Sequence, residues 1–93
     1  MIVIWRARAL SDLSRIVDRI VEENPLAARR VARDLVTAGN SLASFARRAR
    51  LGHIPNTREL ILMRPYVIVF EINEDRVEIL LIWHASRTVP NTS

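Results

Sequence analysis

Fourteen arginines, two histidines and one tyrosine are the side chains of this 93-residue sequence that could do chemistry on an anionic substrate. His84 belongs to the one residue type whose ordinary pKa suits proton transfer near neutrality. Arg58 and Arg87 are planar forks of the kind that clamp a phosphate or a carboxylate. Tyr66 adds a hydroxyl on an aromatic ring. Each has a plain structural role open to it as well. Arg58 can pair with Glu59 or Glu78, Tyr66 can fill a core or its rim, His84 can bond backbone at a strand end, and Arg87 can stay solvated.

Other chemistries are excluded more firmly. The sequence has no cysteine, so it offers neither a disulfide framework nor a thiolate metal site. With only His53 and His84 as imidazole ligands, nothing suggests a metal centre, and no cofactor is expected. Every basic residue is arginine, with no lysine, and the formal charge is +4 with a pI near 11.2. Base composition of the gene explains the bias blandly. Function explains it through the preference of guanidinium for phosphate and carboxylate. Either way an acidic partner is favoured, whether nucleic acid or an acidic protein segment. No apolar run approaches the roughly 18 residues needed to cross a bilayer, and Ile2–Trp5 is too short for a signal peptide, so a cytoplasmic protein without membrane contact is expected.

The elements that must position these groups can be read from periodicity. The length fits a single domain, residues 1–93. Ile2 to Trp5 reads as a first strand. Leu10, Leu13, Ile16, Val17, Ile20 and Val21 recur at helical spacing, with Asp12, Arg15, Asp18, Arg19 and Glu22 opposite. Asn24-Pro25 stops this helix and caps the next. In that second helix Ala28, Val31, Ala32, Leu35 and Val36 form one stripe, Arg29, Arg30 and Arg33 the other, and the phase runs to about residue 46. A helical hairpin follows from so short a break. Residues 47 to 57, containing Arg47, Arg48 and Arg50, read as a basic loop. Three strands come next: Arg58 to Met63, Tyr66 to Ile72 and Val77 to Trp83. The fold class is therefore α+β, ordered β-α-α-β-β-β, with the hairpin packed on a small, mainly antiparallel sheet.

Simple alternation puts Tyr66, Ile68, Phe70 and Ile72 on one face of the sheet, with Val67, Val69 and Glu71 on the other. It also groups Val77, Ile79, Leu81 and Trp83 against Leu80 and Ile82. Both faces are largely apolar, while one hairpin covers only one of them. The second face is then expected to be short of cover and to mark a docking site for a protein partner. Loops and the tail 88–93 are the alternative cover.

Several short stretches together carry a resemblance to a known family. They are Asp12-Leu13 with Ile16, Asn24-Pro25 with Ala27-Ala28, and Thr57-Arg58-Glu59-Leu60. Pro65 to Phe70, Val77-Glu78-Ile79-Leu80 and His84-Ala85-Ser86-Arg87 with Pro90 complete the set. In this order, from about Val3 to Pro90, the chain resembles the RelE/ParE superfamily of toxins from type II toxin–antitoxin systems. The resemblance implies a growth-inhibiting toxin, of a kind linked to plasmid stabilisation, neutralised by a cognate antitoxin that folds around it. Leu60, Leu62, Val67, Val69, Leu80 and Ile82 are the candidate antitoxin contacts. Operator DNA would be met through the antitoxin.

The superfamily divides into RelE-like enzymes that cut mRNA on the ribosome and ParE-like poisons of DNA gyrase. A ribonuclease would draw on Arg58, Tyr66, His84 and Arg87 as acid, base and phosphate clamp. Two departures weigh against it. The position after the aromatic that starts the third strand is basic in RelE-like enzymes and is Val67 here. The phosphate-binding strand, usually lysine-rich, carries Leu60 and Leu62. The ending His84 to Pro90 is similar to the ParE branch. The sequence reading therefore favours a gyrase-directed inhibitor that acts by binding, using Arg47, Arg48, Arg50, Arg58, His84 and Arg87. Ribosome-dependent mRNA cleavage is the alternative, and a stand-alone nucleic-acid-binding module using Arg29, Arg30 and Arg33 is a third reading.

Overall fold

The computed structural model describes residues 1–85; the Leu62 and Met63 side chains, and Arg87 and Pro90 of the expected site, lie outside what it describes. Its elements run β1 (Ile2–Trp5), α1 (Ala7–Val21), α2 (Pro25–Asn40), α3 (Leu42–Phe45), a 3₁₀ turn (Ala46–Arg48), β2 (Arg50–Leu51), β3 (Arg58–Met63), β4 (Tyr66–Asn73) and β5 (Arg76–His84). The five strands form one sheet in the order β1-β5-β4-β3-β2. Only β1 and β5 pair in parallel; the other three pairings are antiparallel.

The helices begin where the sequence demands. Asn24 accepts a 3.0 Å hydrogen bond from the Ala27 N–H, and Pro25 occupies the first turn, where a missing N–H costs nothing. Helix α2 ends earlier than its periodicity suggests, at Asn40 rather than near residue 46. Gly39 accounts for the local fit. A Cβ there would lie 2.3 Å from Cζ2 and 2.6 Å from Cη2 of Trp5, so only glycine lets the β1 indole lie flush on the helix. The indole Nε1 donates to Asn40 Oδ1 at 3.0 Å, and Ser41 Oγ donates to the Ala38 carbonyl at 2.6 Å. Helical structure resumes only as the short α3.

The expected loop 47–57 also contains more structure than its composition suggests. Arg50 and Leu51 pair with Glu59 and Arg58, adding a fifth strand. The rest is a closed turn: Gly52 N–H donates to Thr57 O, and Thr57 Oγ1 to Ile54 O. What composition marks as a breaker is here a side-chain-bonded corner.

The core divides by sheet face. Ala9, Leu35, Ala38, Leu42 and Ala46 from the helical layer bury Ile68, Phe70, Val77, Ile79 and Ile82. The opposite face has its own cluster, Val67, Val69 and Leu81, each 1% exposed, packed with Ile54, Ile61 and Trp83. Two sequence expectations are corrected here. First, β5 does not alternate simply. Val69 pairs with Leu81 but Phe70 with Ile79, leaving Leu80 as the extra residue of a bulge. Val77 and Ile79 therefore face the helices, whereas Leu81 and Trp83 face away and Ile82 turns inward. Second, the far face is not bare, because Ile54 of the corner and Trp83 pack over its valines.

Gly39→Ala is expected to destabilise the fold by about 1–3 kcal/mol. Alanine's better helix propensity, worth about 1 kcal/mol, does not offset a clash with an indole held by Asn40. Urea unfolding of the two proteins checks this.

Candidate functional site

The longest-reaching polar contact of the helical layer starts on α1. Strand β1 ends at Trp5, paired with Ile79, and the Arg6 N–H closes onto the Ile79 carbonyl. Beyond that point β5 runs on without β1 beside it. The Ile82 N–H, which has lost its strand partner on that side, is met by Asp12 Oδ2 at 3.0 Å. Asp12 is 7% exposed, so it does not belong to the solvated face of α1 that periodicity assigns it. The correction has a direct cause, since a buried N–H needs an acceptor and one helical carboxylate reaches it.

Arg15 Nη2 donates to Asp12 Oδ1, and Arg8 Nε stands 3.8 Å from Oδ2. With Arg19 they form one row, because residues seven and eleven positions apart share a helix face. Opposite the row, Tyr66 and His84 are register partners on β4 and β5, their rings 5.8 Å apart edge to face. Between the two walls lies a groove of about 360 Å³, floored by Ile16, Ile20 and Ile82.

Tyr66 and His84 are thus brought together, but Arg58 is not with them. Arg58 pairs with Phe70, four residues along β4 from Tyr66 and so about 13 Å away. Its Nη1 donates to the Ala49 carbonyl at 2.9 Å. The expected antitoxin contacts also scatter. Leu60 and Ile82 pack on the helical side, Val67 and Val69 are buried on the other, and Leu80 is the bulge residue. They form no single exposed surface.

Among the expected target-binding arginines, Arg47 and Arg48 are exposed on the 3₁₀ turn. The Arg48 guanidinium lies 5.4 Å from the ring centre of Phe45, itself 49% exposed. Arg50 is committed elsewhere. Its Nη2 donates to Glu59 Oε1 at 2.8 Å, while the other oxygen accepts from the His53 N–H at 3.1 Å and lies 2.8 Å from His53 Nδ1. Burial pushes the Glu59 carboxyl up, but the bonds from His53 and Arg50 outweigh it and hold the pKa below its ordinary 4.5. Sequence reasoning missed the α1 row. Its signal was the spacing of Arg8, Arg15 and Arg19, set beside isoleucines one position further on.

Among the described residues no group of His, Asp or Glu could hold a metal ion, and no helix is long and apolar enough to cross a membrane.

The fold and this site define a class of small α+β toxins with a helical hairpin on a bulged sheet. The family described as the ParE toxin of the type II toxin–antitoxin system parDE matches residues 3–89, and the chain belongs to that family. It is 45% identical over 85 residues to Toxin RelE2 of Caulobacter vibrioides, covering 91% of this chain and 96% of that protein. Among solved structures it is similar to the chromosomal ParDE toxin–antitoxin system from P. aeruginosa. There the TM-score is 0.83 and the identity 28%, over 90% of this chain and 95% of the other.

A depressed carboxyl pKa stabilises the fold above the unfolded value and loses that contribution as pH falls through the folded one. Glu59→Gln is therefore expected to cost about 1–2 kcal/mol at pH 7. The gap between variant and wild type should narrow once pH drops below the ordinary 4.5. Urea midpoints measured from pH 7 to pH 3 check this.

Proposed function

We propose that this toxin arrests growth in the cytoplasm by binding DNA gyrase and holding a gyrase–DNA state that is normally transient, and that a cognate antitoxin neutralises it. The observation that carries the reading is the environment of Val67. A nuclease of the related kind needs a cation at this position to stabilise a phosphate in the transition state. Here Val67 is 1% exposed within an apolar cluster of Val69, Leu81 and Trp83. Arg58, the nearest candidate clamp on β3, is bound to backbone at the other end of its strand.

A binding mechanism asks for less. Exposed cations and an aromatic ring suffice to hold a nucleoprotein surface, and Arg47, Arg48 and Phe45 offer them on one turn. His84 and Arg87 complete the candidate contact surface. No cofactor or metal is required. Operator DNA is met through the antitoxin's own DNA-binding part.

One observation favours the second reading, ribosome-dependent mRNA cleavage: Tyr66 and His84 share a groove with the arginines of α1. The two readings separate in a paired assay on chain freed of antitoxin. Gyrase should accumulate cleaved DNA in its presence, and the double variant Arg47→Glu/Arg48→Glu should reduce this about tenfold or more. Translating ribosomes should keep their mRNA intact. Cut mRNA, lost with His84→Ala, and no gyrase-cleaved DNA would overturn the proposal.

A further inference from the structure

The α1 groove has a chemistry that gyrase binding through Phe45, Arg47 and Arg48 does not use. We infer that it is a docking channel for a short acidic, aliphatic peptide segment, which under the function proposed above the antitoxin supplies. Charge comes first. Arg8, Arg15 and Arg19 face the channel, and Asp12 is the one carboxylate in its lining, so the lining is net positive. Asp12 is already committed to the Ile82 N–H and to Arg15. Arg19 makes no ion pair among the described residues, and Arg15, with a side chain 71% exposed, keeps donors for a second carboxylate.

Length comes next. From Arg8 to Arg19 the row runs about 16 Å along the helix axis. An extended peptide covers that distance in about five residues, and its alternate side chains fall on one face about 7 Å apart. Acidic residues at alternate positions can therefore meet successive arginines while the residues between them turn toward the floor. That floor is the third element. Ile16, Ile20 and Ile82 form an aliphatic surface that takes leucine or valine side chains, and burying one of them draws the segment in. A nucleic-acid strand fits less well. Its bases need flat faces to stack on, and the Tyr66 and His84 rings are packed edge to face against each other. Asp12 would also stand among its phosphates.

The test uses the full chain and a synthetic ten-residue peptide of alternating glutamate and leucine, with a ten-residue oligothymidylate as competitor. Binding is followed through the amide signals of Ile82 and His84 and by titration at two salt concentrations. The peptide should shift those signals. Arg19→Glu should weaken its binding about tenfold, Arg15→Gln should weaken it less, and Arg30→Glu on α2 should leave it unchanged. Binding that ignores Arg19→Glu, shifts confined to other surfaces, or tighter capture of the oligonucleotide in this channel would overturn the inference. Growth arrest by the expressed chain is scored separately. A chain that arrests growth without taking the peptide refutes the channel alone. One that takes the peptide without arresting growth refutes the toxin mechanism and leaves the channel standing.

Discussion

One hydrogen bond, from the Ile82 N–H of β5 to the Asp12 carboxylate of α1, governs how the helical layer meets the sheet. It exists because β5 outruns β1, which is only four residues long. A strand that continues past its neighbour exposes backbone groups that must find partners, and a buried N–H left unpaired costs about 1–3 kcal/mol. Helix α1 follows β1 directly, so its second turn passes alongside the vacated edge. Aspartate there answers the N–H. An apolar residue in its place would seal the edge from water without satisfying it.

That bond has a second consequence. Drawing Asp12 inward brings Arg8 and Arg15 with it and sets the arginine row against the ends of β4 and β5. The bulge at Leu80 does the complementary work. It turns Ile82 toward the helices and sends Leu81 and Trp83 to the far face, where they bury Val67 and Val69. The two sheet faces are then chemically distinct. One end of the helical face is a charged channel, while the far face opposite it is apolar and packed. The far face leaves no cation beside Val67, and this is why binding, rather than phosphodiester cleavage, is the chemistry the architecture suits.

Much of this was legible in the residues. The Asn24-Pro25 break, the hairpin, the strands from Arg58 to His84 and the family resemblance all follow from local signals that tertiary packing reinforces. What was not legible depends on relations between distant segments. Asp12 sits among charged residues in a helical pattern, and nothing local says that a strand 70 residues later needs its oxygen. The bulge at Leu80 is invisible in a run of four consecutive apolar residues, Ile79 to Ile82, whose alternation could be read in either phase. The short β2 lies in a stretch rich in arginine that reads as loop. Its pairing rests on Glu59 answering Arg50 and His53. The candidate contacts of the sheet were chosen on the wrong phase, so they scattered.

The dependence of this architecture on Asp12 is most directly tested by amide hydrogen exchange at Ile82 in the wild type and in Asp12→Ala. The wild-type Ile82 amide is expected to exchange as slowly as that of Leu81 in the middle of the sheet. In the variant it should lose protection by at least tenfold, more than its β5 neighbours do. Equal protection in both proteins, or fast exchange at Ile82 in the wild type, would contradict the claim that α1 seals this edge.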